Sequence, residues 1–365
     1  MVDQATIQKT IIQEAKLKDF CNRVWTKLGV PERDARITTD VLVLADLRGI
    51  ESHGVARLPR YYNDLKNGWT KPTDESRIVK ETKATALIDG ERSLGQVVGH
   101  KGMELAIKKA LDTAVGIVTV RNSHHYGIAG YYTLMALEHD LIGVSMTNAA
   151  PLVVPTFGRT AMLGTNPISL TAPTSNEKPF VLDMATSVVP RGKLEVYDRQ
   201  SKNMPLGWAV DKTGRGTMNA RSVLDALAKR LGGGILPLGG EGEEHSGHKG
   251  YGLALMVDVL SGVLSGASTG LAVDVNKEKP NVGHFFMALD PAAFRPLEEF
   301  KRDMDRLSRE LKDSPKAEGQ ARIYVHGEKS FAKMDKYRKE GIPLGAKVVD
   351  EMKKIGEELG IPWPA

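Results

Sequence analysis

A histidine and an arginine stand four residues apart, beside a glycine and a proline, in the stretch 46–62. On one helical turn His53 and Arg57 would face the same way. Pro59 prevents a continuous helix through residues 55–59, so a turn that opens a helix near Pro59 agrees equally well with the sequence. Either geometry brings the two side chains together. An arginine can hold a carboxylate with two hydrogen bonds and a histidine exchanges a proton near neutral pH, so the pair suits a substrate whose carboxylate adjoins a carbon that changes protonation.

Further polar groups stand where apolar runs end. His124 and His125 follow the run Gly116–Val120, and Asp183 closes another, in places where strand ends present side chains to a ligand. Lys249 lies among glycines, where a lysine can approach a phosphate, although this pattern alone is weak. Two neighbouring histidines without an Asp or Glu at ligand spacing do not predict a metal site.

Each of these groups also has a structural interpretation. Arg57 could pair with Asp46 or Glu51, the two histidines could be solvated, and Asp183 could cap the following helix.

The usual dinucleotide signature, Gly-x-Gly-x-x-Gly between a strand and a helix, does not occur. Neither Gly240-x-Gly242 nor Gly250-x-Gly252 has the third glycine. The sequence therefore disfavours a Rossmann fold.

Composition indicates a globular protein with a proper core. The chain has 365 residues, 41% of them hydrophobic, and its 50 basic and 45 acidic residues leave a net charge of only +5. Because the charges alternate in sign along helical stretches, nucleic acid binding is not expected despite a pI near 9.0. One cysteine, Cys21, cannot form an internal disulfide, so a cytoplasmic location is expected. The first six residues lack the pattern of a secretion signal, and no membrane span is predicted.

Periodicity predicts a helical segment followed by an α/β region. Three helices are expected at Glu14–Leu28, Pro31–Leu47 and Pro59–Lys66. Strands and helices then alternate, with strands at Ala84–Ile88, Gly116–Val120, Ile142–Thr147, Ile168–Thr171, Phe180–Asp183 and Gly283–Leu289 and helices at Gly99–Leu111 and Ala129–Glu138.

The remaining segments are less uniform. Residues 199–247 contain two glycine-rich runs and are expected to form an exposed loop, either a lid or a connector. A strongly apolar helix is predicted at Tyr251–Leu264, and three more helices at Leu297–Leu311, 330–340 and 344–359.

Four long motifs occur in the order found in one family, so the chain resembles the malate/L-lactate/L-sulfolactate dehydrogenases, whose relatives include ureidoglycolate and diketogulonate dehydrogenases and a cyclic-imine reductase. The resemblance runs from about Val30 to Glu328. The motifs are Arg-Gly-Ile-Glu-Ser-His-Gly-Val-Ala-Arg (48–57), Asn-Ser-His-His-Tyr-Gly-Ile-Ala-Gly-Tyr-Tyr (122–132), Gly-Thr-Asn-Pro-Ile (164–168) with Val-Leu-Asp-Met-Ala-Thr-Ser (181–187), and Gly-His-Lys-Gly-Tyr-Gly-Leu (247–253).

The resemblance implies an α/β fold in which a non-Rossmann, NAD(P)-binding mixed-sheet domain is inserted between N- and C-terminal helical segments that form a second lobe. The expected divisions are a helical lobe at 1–77, the cofactor-binding domain at 78–294, and C-terminal helices at 295–365 that return to the helical lobe. A homodimer with each active site at the subunit interface is also implied.

The resemblance also implies roles for individual residues. His53 and His125 match the two positions to which family proposals assign the proton donor, and the sequence does not decide between them. Ser52 and Asp183 match a proposed charge relay with His53, and Arg57 takes the substrate carboxylate. The implied cofactor contacts are Thr147, Asn148, Asp183, Met184, Ala185, Lys193, Lys249, Gly327 and Glu328. Where relatives usually have Pro-Gly-Glu this chain has His326, which departs from the pattern of that loop.

Together these features predict an oxidoreductase that transfers a hydride between NAD or NADP and a 2-hydroxy/2-oxo acid. The acid, the cation and the pocket that such chemistry needs are all available. Malate is the first substrate expected, then sulfolactate or lactate. The alternative is a C=N reductase of a cyclic imino acid of the piperideine-2-carboxylate type. A helical scaffold without enzymatic activity would bind no nicotinamide.

Overall fold

A computed structural model describes residues 9–273, 278 and 280–364. Residues 1–6, for which no secretion signal is predicted, lie outside the described residues. So do the outer ends of the predicted segments 1–77 and 295–365.

The predicted helical lobe is present. It begins with β1 (Lys9–Ile12), α1 (Glu14–Lys27), α2 (Glu32–Leu47) and α3 (Leu58–Lys66). The three predicted helices are thus confirmed to within two residues at their N-terminal ends. Pro31 and Pro59 stand at the starts of α2 and α3, where a missing N–H costs no helical hydrogen bond.

A mixed sheet follows. The first strands of this region and the helices between them are β2 (Arg77–Glu81), β3 (Thr85–Asp89), α4 (Gly95–Thr113), β4 (Val115–Ser123), α5 (Ala129–Leu137), β5 (Ile142–Thr147), β6 (Ile168–Ala172) and β7 (Phe180–Met184). Then come α6 (Arg191–Arg199), β8 (Ala209–Val210), α7 (Ala220–Lys229), β9 (Gly234–Ile235), α8 (Gly247–Val257) and β10 (Val282–Leu289).

The sheet has seven strands in the order β2-β3-β4-β10-β5-β6-β7. Within it β3 and β4 run parallel, and every other neighbouring pair is antiparallel. A Rossmann sheet is parallel and doubly wound, so the predicted non-Rossmann mixed sheet is confirmed. Helices α4 and α5 bury one face, with Tyr132 and Phe286 among the largest side chains of that core. Val257 and Leu260 pack against the opposite face.

Residues 199–247 differ from the predicted exposed loop. Asn219 caps α7 by accepting a hydrogen bond from the Ser222 N–H at 3.0 Å, and β8 pairs with β9. Met204, Ala209, Val223 and Ile235 are buried in a core that they share with Val153, Leu163, Val189, Leu194 and Ala254. The apolar residues of this segment are scattered and have no regular spacing, so the sequence does not predict that they form a core.

The predicted helix at Tyr251–Leu264 is also corrected. α8 begins earlier, at Gly247, and at Asp258 it changes to a π-helix that runs to Val263. Periodicity does not distinguish these two windings over six residues.

The C-terminal segment contains α9 (Leu297–Asp313), α10 (Glu328–Glu340), β11 (Ile342–Gly345) and α11 (Ala346–Leu359). Strand β11 pairs antiparallel with β1, an association between chain ends that the sequence did not suggest. Val349 and Met352 of α11 share a core with α1, α2 and α3. Helix α11 therefore packs on the N-terminal helices, whereas the return of residues 295–365 as a whole stays a prediction.

Helix α9 lies elsewhere, because Asp305 accepts hydrogen bonds from the backbone N–H groups of residues 175–177 and Lys301 pairs with Asp140. The domain divisions at residues 77 and 294 stay predictions.

Candidate active site

His53 and Arg57 lie on a double turn fixed to α2. Single 3-10 turns span Glu51–His53 and Val55–Arg57, which settles the choice of geometry in favour of a turn that opens a helix. The Val55 N–H donates to Asp46 Oδ2 at 2.8 Å. A Cβ on Gly54 would lie 1.9 Å from Asp46 Oδ1, so this approach requires glycine. Burial raises the pKa of the Asp46 carboxyl to about 8.

Within this turn Ser52 contacts both functional side chains. Its hydroxyl forms a 2.9 Å hydrogen bond with His53 Nδ1, and its carbonyl accepts from Arg57 Nε at 2.7 Å. The alternative role predicted for Arg57 was an ion pair with Asp46 or Glu51. Asp46 instead binds the Val55 N–H and Glu51 pairs with Lys9, so among the described residues neither is the partner of Arg57.

His125 enters the same space from the loop between β4 and α5. Its ring stacks on that of His53, with 5.5 Å between centroids and 21° between planes. Nδ1 receives the Tyr61 hydroxyl at 2.6 Å and the Gly127 N–H at 3.3 Å. Because a backbone N–H can only donate, Nδ1 is the acceptor, and the proton of the neutral ring lies on Nε2.

Both imidazoles are neutral at pH 7 in this environment. Burial lowers the pKa of His53 to about 4, aided by the charges of Arg57 and Arg60. Burial likewise holds the pKa of His125 well below its usual range, and Arg60, His53 and Arg57 add to the effect. An anion bound among these groups would oppose their positive charge and raise both pKa values.

The two other histidines nearby are structural. His124, left without a role by the sequence, is buried with its Nε2 3.0 Å from the Thr70 hydroxyl. His284 is buried in β10 and hydrogen-bonds Thr147 Oγ1 at 2.7 Å and Ser123 Oγ at 2.8 Å. No sequence pattern indicates His284, since it stands inside an apolar strand.

A cavity of about 380 Å³ opens beside the stacked rings. Of the predicted site residues it brings together Ser52, His53, Arg57, His125, Thr147 and Asn148. The rest of its wall is formed by Arg60, Gly127, Ala149, Ala150, Leu152, Thr165, Pro167, Pro190, Arg191, Gly192 and Val282.

Thr147 and Asn148 face this cavity, but their side chains serve the fold. Thr147 Oγ1 donates to the Gly283 carbonyl at 2.9 Å, and Asn148 Nδ2 donates to Asp258 Oδ1 at 3.0 Å. The Gly283 N–H donates to Asn148 Oδ1 at 3.0 Å. These bonds fix the loop that follows β5, so a ligand there would meet the loop's backbone.

Asp183 lies outside the cavity lining. Its Oδ2 accepts from the Gly130 N–H at 2.9 Å, at the N-terminus of α5, so it caps this earlier helix and not the following one that the structural interpretation expected. Burial raises its pKa to about 6, while this hydrogen bond and the charge of Arg48 act in the opposite direction. Within the described chain its hydrogen bond is to Gly130 and not to the Ser52–His53 pair.

The predicted cofactor stretch Met184–Ala185 lies at the end of β7, and residues 326–328 lie beside the start of that strand. The Val181 N–H donates to the His326 carbonyl at 3.1 Å. Gly327 has a φ of +101° and lies against Val181, while Glu328 Oε2 accepts from the Val325 N–H at 3.1 Å.

The two predicted cofactor lysines lie nearby. The Thr186 carbonyl accepts from the Leu238 N–H, and Leu238 packs on Gly250 beside Lys249. Lys193 follows the cavity residues 190–192 and lies over the Trp208 ring at 5.9 Å. Both lysines are exposed.

Sequence reasoning missed four groups that shape the site: Asp46, Arg60, Tyr61 and Arg191. Arg60 and Tyr61 follow Pro59 within the stretch 46–62, so a helix from Pro59 that carries Arg60 towards Arg57 was a usable signal. Arg191 had no comparable signal, because only the fold brings the start of α6 to this cavity.

Comparison with known proteins identifies the family. The model of the malate/L-lactate dehydrogenase family matches residues 12–353. This chain belongs to that family. Members are dehydrogenases, so the protein is an oxidoreductase, and the resemblance seen in its motifs is confirmed.

Three proteins are similar to this chain over most of its length. A malate dehydrogenase of Pyrococcus horikoshii is 53% identical over 351 residues, 96% of each chain, and the solved structure of that organism's enzyme has a TM-score of 0.89 over 99% of both chains. An L-sulfolactate dehydrogenase of Methanocaldococcus jannaschii is 45% identical and covers 96% of this chain and 98% of its own. A delta1-piperideine-2-carboxylate reductase of Pseudomonas syringae pvar.tomato is 26% identical, with a TM-score of 0.82 over 95% and 99%.

The family implies a nicotinamide cofactor, and the cavity fits the ring of one. Apolar groups of Leu152, Pro167, Pro190 and Val282 form part of the wall that also carries the two imidazoles. Such a wall suits a planar, weakly polar ring.

The described residues contain no cluster of three or more His, Cys, Asp or Glu that could hold a metal ion. Over the same residues no helix is both long and apolar enough to cross a membrane.

Proposed function

We propose that this protein interconverts a 2-hydroxy acid and its 2-oxo acid with NAD or NADP, with malate/oxaloacetate the preferred pair and sulfolactate or lactate next. The observation that carries the proposal is the stacking of His53 on His125 within the cavity that Arg57 lines. This arrangement offers a carboxylate-binding cation next to two imidazoles that can exchange a proton.

Arg57 binds the substrate carboxylate. Its Nε is held by the Ser52 carbonyl, which orients the guanidinium and leaves its terminal N–H groups for the ligand. The bound carboxylate then places the neighbouring carbon near the two imidazoles.

One of the two histidines holds the transferred proton. In the oxidation direction a neutral imidazole must take the hydroxyl proton, and the lowered pKa values keep both rings ready for this. In the reduction direction the imidazolium formed next to the anionic substrate returns the proton to the developing alkoxide. Tyr61 orients His125, and Ser52 orients His53.

The bound nicotinamide supplies or accepts the hydride. Support for its contacts comes from the backbone of Thr147 and Asn148 in the cavity, and from the family match of Asp183, Met184 and Ala185 and of Lys193, Lys249, Gly327 and Glu328. Of these groups, Met184 and Ala185 lie at the end of β7, where Thr186 also hydrogen-bonds Thr165 of the cavity wall at 2.9 Å. These residues would hold the cofactor next to the cavity.

A homodimer is part of the proposal. Five large apolar side chains along α8 and the π-helix are exposed by more than a third: Leu255, Met256, Val259, Val263 and Leu264. An apolar surface of this kind marks an association site, and a second copy would cover it. Sedimentation that finds an active monomer would refute this part. We also place the protein in the cytoplasm, because its single cysteine, Cys21, is a buried free thiol.

The decisive experiment is a scan of NADH and NADPH oxidation against oxaloacetate, pyruvate, sulfopyruvate and piperideine-2-carboxylate. We expect the highest kcat/KM with oxaloacetate. A preference for piperideine-2-carboxylate would favour the C=N reductase, whose solved relative is much less similar than the malate dehydrogenase. Activity with none of the four would reject the proposal.

A further inference from the structure

The positive charge of the cavity exceeds what one carboxylate requires. Three guanidinium groups line it, those of Arg57, Arg60 and Arg191, and among the described residues of its wall there is no acidic side chain. The two imidazoles there are neutral. A cavity lined by cations has a positive electrostatic potential, which attracts a ligand with more than one negative charge.

We infer that Arg60 binds the second anionic group of a dianionic 2-hydroxy acid, the carboxylate or sulfonate on the carbon next to the hydroxyl-bearing one. This inference rests on the proposed function and deepens it. It assigns to one residue the choice between dianionic substrates and a monoanionic one such as lactate.

The position of Arg60 supports this role. It stands three residues after Arg57 at the start of α3, and residues at this spacing on a helix have Cβ atoms about 5 to 6 Å apart. The terminal carbons of an extended four-carbon diacid are ~4 Å apart, given three C–C bonds of ~1.5 Å. Two guanidiniums at this spacing, one from the turn before α3 and one from its first turn, can therefore hold the two ends of one such molecule.

Electrostatics place the Arg60 charge within the site. It is the first charged group to lower the pKa of His125, after burial, and it also lowers that of His53. Its Nε lies 3.8 Å from Asp64 Oδ2, and a third of its side chain is exposed (33%). The guanidinium is thus near the imidazoles and accessible to a ligand.

Arg191 is less suited to the same role. Its Nε donates to Glu195 Oε1 at 3.0 Å, and the two side chains are 46% and 42% exposed. It also lines a second cavity of about 430 Å³ that shares Ala150 and Leu152 with the first. Arg191 therefore lies between two spaces, whereas Arg60 lies next to the histidines.

The test compares Arg60→Gln with the wild type on oxaloacetate, sulfopyruvate and pyruvate, with Arg36→Gln on the exposed surface of α2 as the matched control. We expect kcat/KM to fall roughly 10-fold or more on the two dianions, from the loss of a charge-assisted hydrogen bond in a partly exposed site, and to change little on pyruvate. Arg60→Lys should retain part of the dianion preference, because it keeps the charge and loses the planar fork.

A second readout separates this role from a structural one. Removing the Arg60 charge should move the basic limb of the pyruvate-reduction pH profile to higher pH, because the pKa of the histidine that donates the proton rises. Equal losses on all three substrates, or a dianion preference that is abolished by Arg191→Gln and kept by Arg60→Gln, would overturn the inference. A wild-type protein that reduces no 2-oxo acid would instead reject the proposed function itself.

Discussion

The Tyr61 hydroxyl lies 2.6 Å from Nδ1 of His125 and connects the first turns of α3 to the loop after β4. Because Nδ1 also faces the Gly127 N–H, this bond helps to fix the tautomer in which Nε2 carries the proton. A group 64 residues away in the chain thus sets which nitrogen of His125 can donate.

Tyr61→Phe should therefore lower kcat by about 10-fold, the value of one well-placed hydrogen bond, while cofactor affinity stays nearly constant. Steady-state kinetics with both substrates varied would measure this. Tyr62→Phe on the same helix is the matched control, since Tyr62 contacts Lys66 and not the histidines. Equal kinetics for the two variants would show that the bond has no catalytic part.

Replacement of the proton donor should have a larger effect. His53→Gln and His125→Gln are expected to lower kcat at neutral pH, the true donor by roughly 100-fold or more. The other histidine should show a smaller loss from altered positioning. His245→Gln, in an exposed turn, controls for loss of a histidine. A variant with wild-type turnover identifies a histidine that is not the acid.

Arg57→Lys tests the carboxylate contact. A lysine offers a point charge where the guanidinium offers two parallel N–H groups, so kcat/KM should fall roughly 10- to 150-fold. The melting temperature should change little, because neither Asp46 nor Glu51 pairs with Arg57 in the structure. A lowered melting temperature with unchanged kcat/KM would assign Arg57 to the fold instead.

Asp183→Asn separates the charge relay from the helix cap. The amide oxygen of asparagine can still accept from the Gly130 N–H, whereas the negative charge is lost. If Asp183 serves catalysis through its charge, kcat should fall while the melting temperature holds. If it serves only to cap α5, both quantities should stay close to the wild type, and Asp183→Ala should lower stability by about 1 kcal/mol.

The stability of the fold should pass through a maximum near pH 6.5. The lowered pKa values of His53 and His124, both about 4, mean that the unfolded chain binds more protons between pH 4 and 6.5, so stability rises with pH across that window. The pKa of Asp46, raised to about 8, acts in the opposite direction and removes stability as the pH rises towards 8.

Asp46→Asn provides the check, because the amide oxygen can still accept from Val55 without a titrating charge. Denaturant midpoints measured from pH 4 to 8 should fall above pH 6.5 in the wild type and remain level in the variant. A decline of equal slope in both proteins would exclude Asp46 as its source.

Several elements of the fold and several residues of the site could be predicted from the sequence. Helices α1 to α3 have strong apolar periodicity, and α2 and α3 also have prolines at their starts, so local rules locate them. The absence of a third glycine disfavoured a Rossmann sheet, and the ordered motifs around His53, His125, Asp183 and Lys249 indicated the family. These features depend on residues close together in the chain, where sequence and conformation are directly linked.

Tertiary structure alone decided the rest. The pairing of β1 with β11 and the core that residues of 199–247 join arise from contacts between distant segments, which carry no local pattern. The π-helix at Asp258 and the buried hydrogen bonds of His284 depend on packing against the sheet. The site followed the same rule. The sequence named His53, Arg57 and His125, but only the fold brought His125 and Arg191 to the same cavity, because residues far apart in the chain become neighbours when their elements pack.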